Sequence, residues 1–202
     1  MIIASHSLNS TYPRMTLEEF LSYDDGTELR SELVDGVLAP MGAESTINTL
    51  IGGFLFVTLC QLGLPIYRIG FKQWVAVPRG MATARDPDLI VHSDASFSAI
   101  ESRSEAILKL EDPHPMLVVE IVSPGQPGTA NYDRDYVEKR REYAERGIPE
   151  YWLVDPQRQI VLVLMLQNGA YQEQRFQGKQ RIMSPALPSL NLTAEAMLRA
   201  GK

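Results

Sequence analysis

Apolar positions along the chain recur in two periods, and each period marks a different kind of element. Spacings of three and four around Leu17, Phe20 and Leu21 predict a short amphipathic helix over Thr16–Tyr23. Thr16 is its N-cap, Glu19 sits at the capping-box position, and Asp24-Asp25-Gly26 ends it. Strand-like segments follow at Glu28–Val34 and Val37–Met41, flanking Asp35-Gly36, a dipeptide that favours a two-residue hairpin turn. From Ser45 to Tyr67, 23 residues carry no charge, which is long enough to cross a bilayer. Asn48, Thr49, Thr58 and Gln61 interrupt that run, and Gly63 and Pro65 stop it, so it reads as a buried helix of about 18 residues and not as a membrane span.

Further along, Ile66–Val77 reads as one or two strands, and Asp88–Val91 as a short strand whose start is set by Pro87. Ser93–Glu111 is a surface excursion, helical near Ser104–Leu110. Met116–Val122 is an apolar run interrupted only by Glu120. A loop rich in Pro, Gly and Asn then leads to a charged helix, Asp133–Arg146, with five acids and five bases and Gly147 as its cap. Glu150–Val154 is a third core strand. Gln159–Leu166 and Ala170–Phe176 form a second hairpin about Asn168-Gly169, Met183–Leu192 is a surface loop, and Thr193–Ala200 is a short final helix. No repeat and no linker divides the chain. The order predicts an α/β fold with a mixed central β-sheet flanked by helices, organised as one domain over residues 15–198 behind a tail of residues 1–14.

Composition narrows the class. With 202 residues, 45% of them hydrophobic and 22% charged, the chain can bury a core without disulfides or a structural metal. Cys60 stands alone and cannot close an intramolecular bridge, and Cys60, His6, His92 and His114 have no zinc-site spacing. A reducing, cytoplasmic setting fits. The first 14 residues lack the basic start and the long apolar run of a signal peptide. A net charge of −6 excludes a protein that coats nucleic acid through a broad basic surface. It leaves room for an enzyme that meets phosphates through bound cations. The acidity is uneven: residues 1–70 hold eight acids and three bases, while Thr129–Arg181 holds eight acids and nine bases.

Glu120 is the chemical anomaly. A carboxylate inside a strand buried on both faces costs several kcal/mol unless it is paired, hydrogen-bonded or bound to a cation. If the Asp88 and Glu120 strands are neighbours, their carboxylates converge at one edge of the sheet. There they could hold magnesium, which takes one or two carboxylates and keeps several waters. Lys139, on the helix after the Glu120 strand, is the candidate cation, with Asp135 four residues before it and Tyr143 one turn beyond. On the residues alone, the Asp135–Lys139 pair also reads as a solvated salt bridge, Asp88 as a turn-capping acid, and Glu32 as a hairpin surface residue.

Five strings in order then resemble one family: ELVDG at Glu32, RDPDLIV around Asp88, LVVEIVSPG around Glu120, NYDRDYVEKRREYAERGIPEYWLVDP from Asn131 to Pro156, and SPALPSLNLT from Ser184. They are similar to the Uma2 family of restriction endonucleases, within the PD-(D/E)xK nuclease superfamily. The resemblance implies a restriction-endonuclease-like core and a magnesium- or manganese-dependent phosphodiesterase acting on DNA; separately, the apolar long helix and the C-terminal strands suit the interface of a homodimer. The resemblance makes Asp88 and Glu120 the metal-binding acids, adds the Ile121 backbone carbonyl as a ligand, and gives Glu32 an auxiliary catalytic place. Val122 stands where the superfamily carries a strand lysine, and Lys139 takes that role from the following helix. A catalytically degenerate module that binds nucleic acid or protein on the same fold stays open as the alternative.

Overall fold

The structure, a computed structural model, describes residues 14–24, 26 and 30–202. Nearly all of the expected N-terminal tail, Asp25 of the first helix stop, and the start of the strand expected from Glu28 lie outside the described residues. Helix α1 (Leu17–Ser22) has the full capping box: the Thr16 hydroxyl accepts from Glu19 N–H, and the Glu19 carboxylate accepts from Thr16 N–H. Strands β1 (Ser31–Val34) and β2 (Val37–Pro40) pair antiparallel about Asp35 and Gly36, whose φ values of 50° and 76° suit a tight hairpin turn. Helix α2 (Thr46–Gln61) starts on the Ser45 side chain and ends before Gly63, which adopts φ 88°. Among the described residues, no helix is long and apolar enough to cross a membrane.

Ile66–Val77 departs from a plain strand reading. It opens with a turn of 3₁₀ helix at Ile66–Arg68, and β3 (Ile69–Gly70) and β4 (Trp74–Val77) then enter different sheets. After β5 (Thr83–Arg85) and β6 (Leu89–Val91), the helix expected near Ser104–Leu110 is absent. The excursion is helical at α3 (Asp94–Ser98), and its later part forms β7 (Ile107–Leu108), parallel to β4. The Ser93 side chain caps α3, while Ile107 and Leu108 are buried, so sheet pairing overrides local helix preference there.

Next come β8 (Leu117–Ile121), α4 (Ala130–Asp133), a π-turn (Arg134–Glu138) and α5 (Lys139–Glu145). The chain continues through β9 (Glu150–Asp155), β10 (Ile160–Gln167), β11 (Ala170–Phe176) and α6 (Ala194–Leu198). Asn168 and Gly169 repeat the first hairpin's turn with φ 51° and 80°. A six-stranded sheet runs β11-β10-β9-β8-β6-β3, and a five-stranded sheet runs β2-β1-β5-β4-β7. The N-terminal hairpin thus forms the edge of a second sheet. One face of the six-stranded sheet packs on α2 and α6 through Ile51, Leu55, Leu59, Met197 and Leu198. Its other face meets β4 and α5 through Val75, Val77, Val118 and Tyr143, and the carboxylate of Glu120 points into this layer.

Candidate active site

Antiparallel pairing of β6 with β8 sets Leu89 against Val119 and Val91 against Leu117, so one further step of the register puts Asp88 opposite Glu120. Opposed residues share a face of a sheet. Asp88 precedes the first residue of β6, and its Oδ2 accepts the Ile121 N–H at 2.5 Å. The Ile121 carbonyl accepts from the Asn48 side-chain amide at 3.0 Å. Both main-chain groups of Ile121 are therefore held by side chains, one from each neighbouring element. Asn48 reaches it because Ser45 caps α2 and fixes the first turn against the end of β8.

The crossover from β8 to β9 brings Lys139 over Glu120. Its Nζ lies 2.7 Å from Glu120 Oε2, 3.0 Å from Glu32 Oε1 and 3.8 Å from Asp135 Oδ1. Tyr143, one turn along, donates to the other Glu120 oxygen at 2.8 Å. The four residues predicted from sequence to share a site thus converge. Glu32, Glu120 and Lys139 are buried, and Asp88 is half-buried beside Glu120. The π-turn belongs to this arrangement: Lys139 N–H bonds to the Arg134 carbonyl five residues back, immediately before the residues that face the sheet.

Sequence reasoning missed Arg85. Its guanidinium is buried in the same layer, with Nη1 on Glu32 Oε2 at 2.9 Å and Nε and Nη2 on the two Glu142 oxygens at 2.7 and 3.0 Å. Glu138 adds a contact at 3.1 Å. Glu32 therefore bridges two buried cations and also accepts the Asp86 N–H at 3.1 Å. Asn48 and Glu142 were missed for the same reason. Each partner lies tens of residues away, so no local pattern points to the pairing. Tyr143, by contrast, stands where its place one turn beyond Lys139 put it.

Shared cations divide the acids into two kinds. Burial pushes the Glu32 carboxyl up, but Lys139 and Arg85 together outweigh it and hold its pKa at about 2. Glu120 goes the other way. Burial pushes it up to about 7, Lys139 opposes this, and Asp135 and Glu32 add to it. One ammonium cannot neutralise three carboxylates. Asp88 is also raised well above the usual range, by burial first and then by Glu120, against the pull of the Ile121 N–H. The Asp88–Glu120 pair is thus short of positive charge, while Glu32 has it in full. Among the described residues, no group of three or more His, Cys, Asp or Glu is spaced to hold a metal ion.

Residues 17–195 match the family model described as "Uma2: Putative restriction endonuclease". The chain is also similar in structure to a crystal structure described as a putative nuclease belonging to DUF820 from Anabaena variabilis. The TM-score is 0.70 at 20% identity, covering 93% of this chain and 99% of that one, a likeness of fold. No curated protein matches.

Proposed function

Since the chain belongs to the Uma2 family, we propose that it is a DNA endonuclease that hydrolyses phosphodiester bonds with magnesium or manganese bound at Asp88 and Glu120. The observation that carries the reading is the buried Lys139 ammonium placed between Glu120 and Glu32, so that the Asp88–Glu120 pair has only a shared cation. The donor set suits a hard divalent ion. Asp88 keeps one oxygen without a hydrogen-bond donor among the described residues, Glu120 keeps lone pairs beyond its two contacts, and the Ile121 carbonyl has a second lone pair. Magnesium needs no more protein than this, because it retains several waters. When bound, such an ion acidifies water and offsets charge on phosphoryl oxygens.

The remaining work falls to the chain's own residues. Lys139 has three N–H donors, of which two face Glu120 and Glu32 and the third has only Asp135 at 3.8 Å, which leaves it free to orient a water beside Glu120. Glu32 acts as a positioning residue. Both of its oxygens are occupied and its pKa is held low, so it fixes the ammonium's place and charge. Tyr143 and Arg85 fix Glu120 and Glu32 in turn.

Calorimetric titration with magnesium and cleavage of supercoiled plasmid, run on wild type, Asp88→Asn and Glu120→Gln, test the reading. Metal heat and cleavage are expected in wild type and lost in both variants. Equal cleavage in all three, or no heat in wild type, overturns it. The Asn48 amide on Ile121 and Val122 at the strand-lysine position favour the second reading, a binding module without turnover. Salt-dependent DNA binding with no cleavage under any divalent metal would select it.

A further inference from the structure

A polyanion that approaches Asp88 needs cationic groups within reach of solvent, and the two cations at the centre of the site are closed to it. The side chains of Lys139 and Arg85 are 3% and 1% exposed, and carboxylates surround both. Arg30 is placed differently. Its Nε and Nη2 each lie 2.6 Å from an oxygen of buried Asp86, and its guanidinium carbon stands 5.2 Å from the centre of the Trp74 ring. The side chain is nevertheless 30% exposed. Its Nη1 has no hydrogen-bond partner among the described residues. Asp86 in turn donates its N–H to Glu32, so the anchor of Arg30 is tied to the carboxylate that holds Lys139.

Arg30 also shares a cavity of about 500 Å³ with Asp88, and Phe71, Lys72, Glu44 and Asp86 contribute to the same walls. Asp86 is paired with Arg30, while Lys72 makes no salt bridge among the described residues, and Glu44 and Asp88 are the other charges on these walls. We propose that Arg30 and Lys72 hold a backbone phosphate of the nucleic acid, next to the scissile one, in the cavity they share with Asp88. This deepens the nuclease reading and rests on it. A guanidinium held along one edge by a carboxylate and over an indole face loses little freedom on binding, and its free edge suits phosphate oxygens. Phe71 offers the adjoining sugar and base an apolar wall. Glu44 and Asp88 repel the phosphate, which confines it to the Arg30 and Lys72 side.

Fluorescence anisotropy of a labelled duplex oligonucleotide, with calcium in place of magnesium and salt varied, tests this with Lys72→Gln and Arg30→Lys. The second variant keeps a cation on Asp86, and thermal melting of both checks the fold. Loss of one phosphate contact in Lys72→Gln lowers the slope of log affinity against log salt by about 0.9. Arg30→Lys loses the forked donor, and its affinity at fixed salt falls about tenfold. An unchanged slope or an unchanged affinity overturns the assignment of that residue. Plasmid cleavage by wild type is scored separately. Binding that weakens in the variants while wild type never cleaves rejects the nuclease and keeps the phosphate cavity, whereas cleavage with unaltered binding in both variants does the reverse.

Discussion

Lys139 Nζ stands 2.7 Å from Glu120 Oε2 in a layer closed to solvent, so one contact serves both the fold and the proposed chemistry. Removing one partner of a buried pair costs about 3–5 kcal/mol, because the other charge is left behind. Lys139→Met therefore lowers stability by that amount in urea unfolding. Adding Glu120→Gln to it restores part of the loss, because one of the stranded carboxylates is then gone. A double variant no more stable than Lys139→Met alone would contradict the pairing.

Stability should depend on pH in two opposed ways. The Glu120 carboxyl titrates at about 7 in the folded protein against 4.5 when unperturbed. Its stabilising contribution is thus complete below pH 4.5 and lost as pH rises through about 7. Glu32 is depressed to about 2, so its contribution is present above pH 4.5 and lost as pH falls through about 2. Urea midpoints measured across pH will decline less between 4.5 and 8 in Glu120→Gln than in wild type. In Glu32→Gln, the acid-side loss shrinks instead.

Metal binding is expected to release protons. A cation at Asp88 and Glu120 needs both carboxylates ionised, and both are raised. Magnesium affinity should climb as pH rises towards about 7, the value for Glu120. At pH 6, the binding heat should vary with the ionisation enthalpy of the buffer. Heats identical in MES and Bis-Tris at that pH would exclude coupled proton release.

Tyr143→Phe removes one donor from Glu120 and leaves the ring packing against Tyr151. The lost hydrogen bond costs about 1–3 kcal/mol. Without that donor, the charged form of Glu120 is less favoured, so proton release on metal binding moves to higher pH. A shift to lower pH would show that the hydroxyl is not serving the carboxylate.

Local chemistry carried much of the fold into view. Thr16 with Glu19, Asp35-Gly36, Asn168-Gly169 and Gly63 each declare an element boundary within a few residues, and each boundary stands where those residues put it. Glu120 was legible because an acid in an apolar strand demands a partner, and Lys139 because the crossover helix returns over that strand. Arg85 was hidden. In the RDPD string it looks like any surface arginine, yet it is buried by carboxylates 53 and 57 positions away. The second sheet was hidden likewise, because the pairing of β1 with β5 joins Leu33 to Ala84 with no sequence signal between them.

The π-turn at Arg134–Glu138 gives the site an unusual weak point. It is one surplus residue in an otherwise ordinary helix, and its hydrogen bond spans five residues where four is the rule. Closing that segment into plain α form with its residue count unchanged would turn everything beyond it by about 100° relative to everything before it. Lys139, Glu142 and Tyr143 would swing off the sheet together, with every side chain intact. Removing one residue from the segment would instead close the helix and leave all three facing the sheet, so the surplus residue is what the site tolerates and a regular helix of the same length is what it does not.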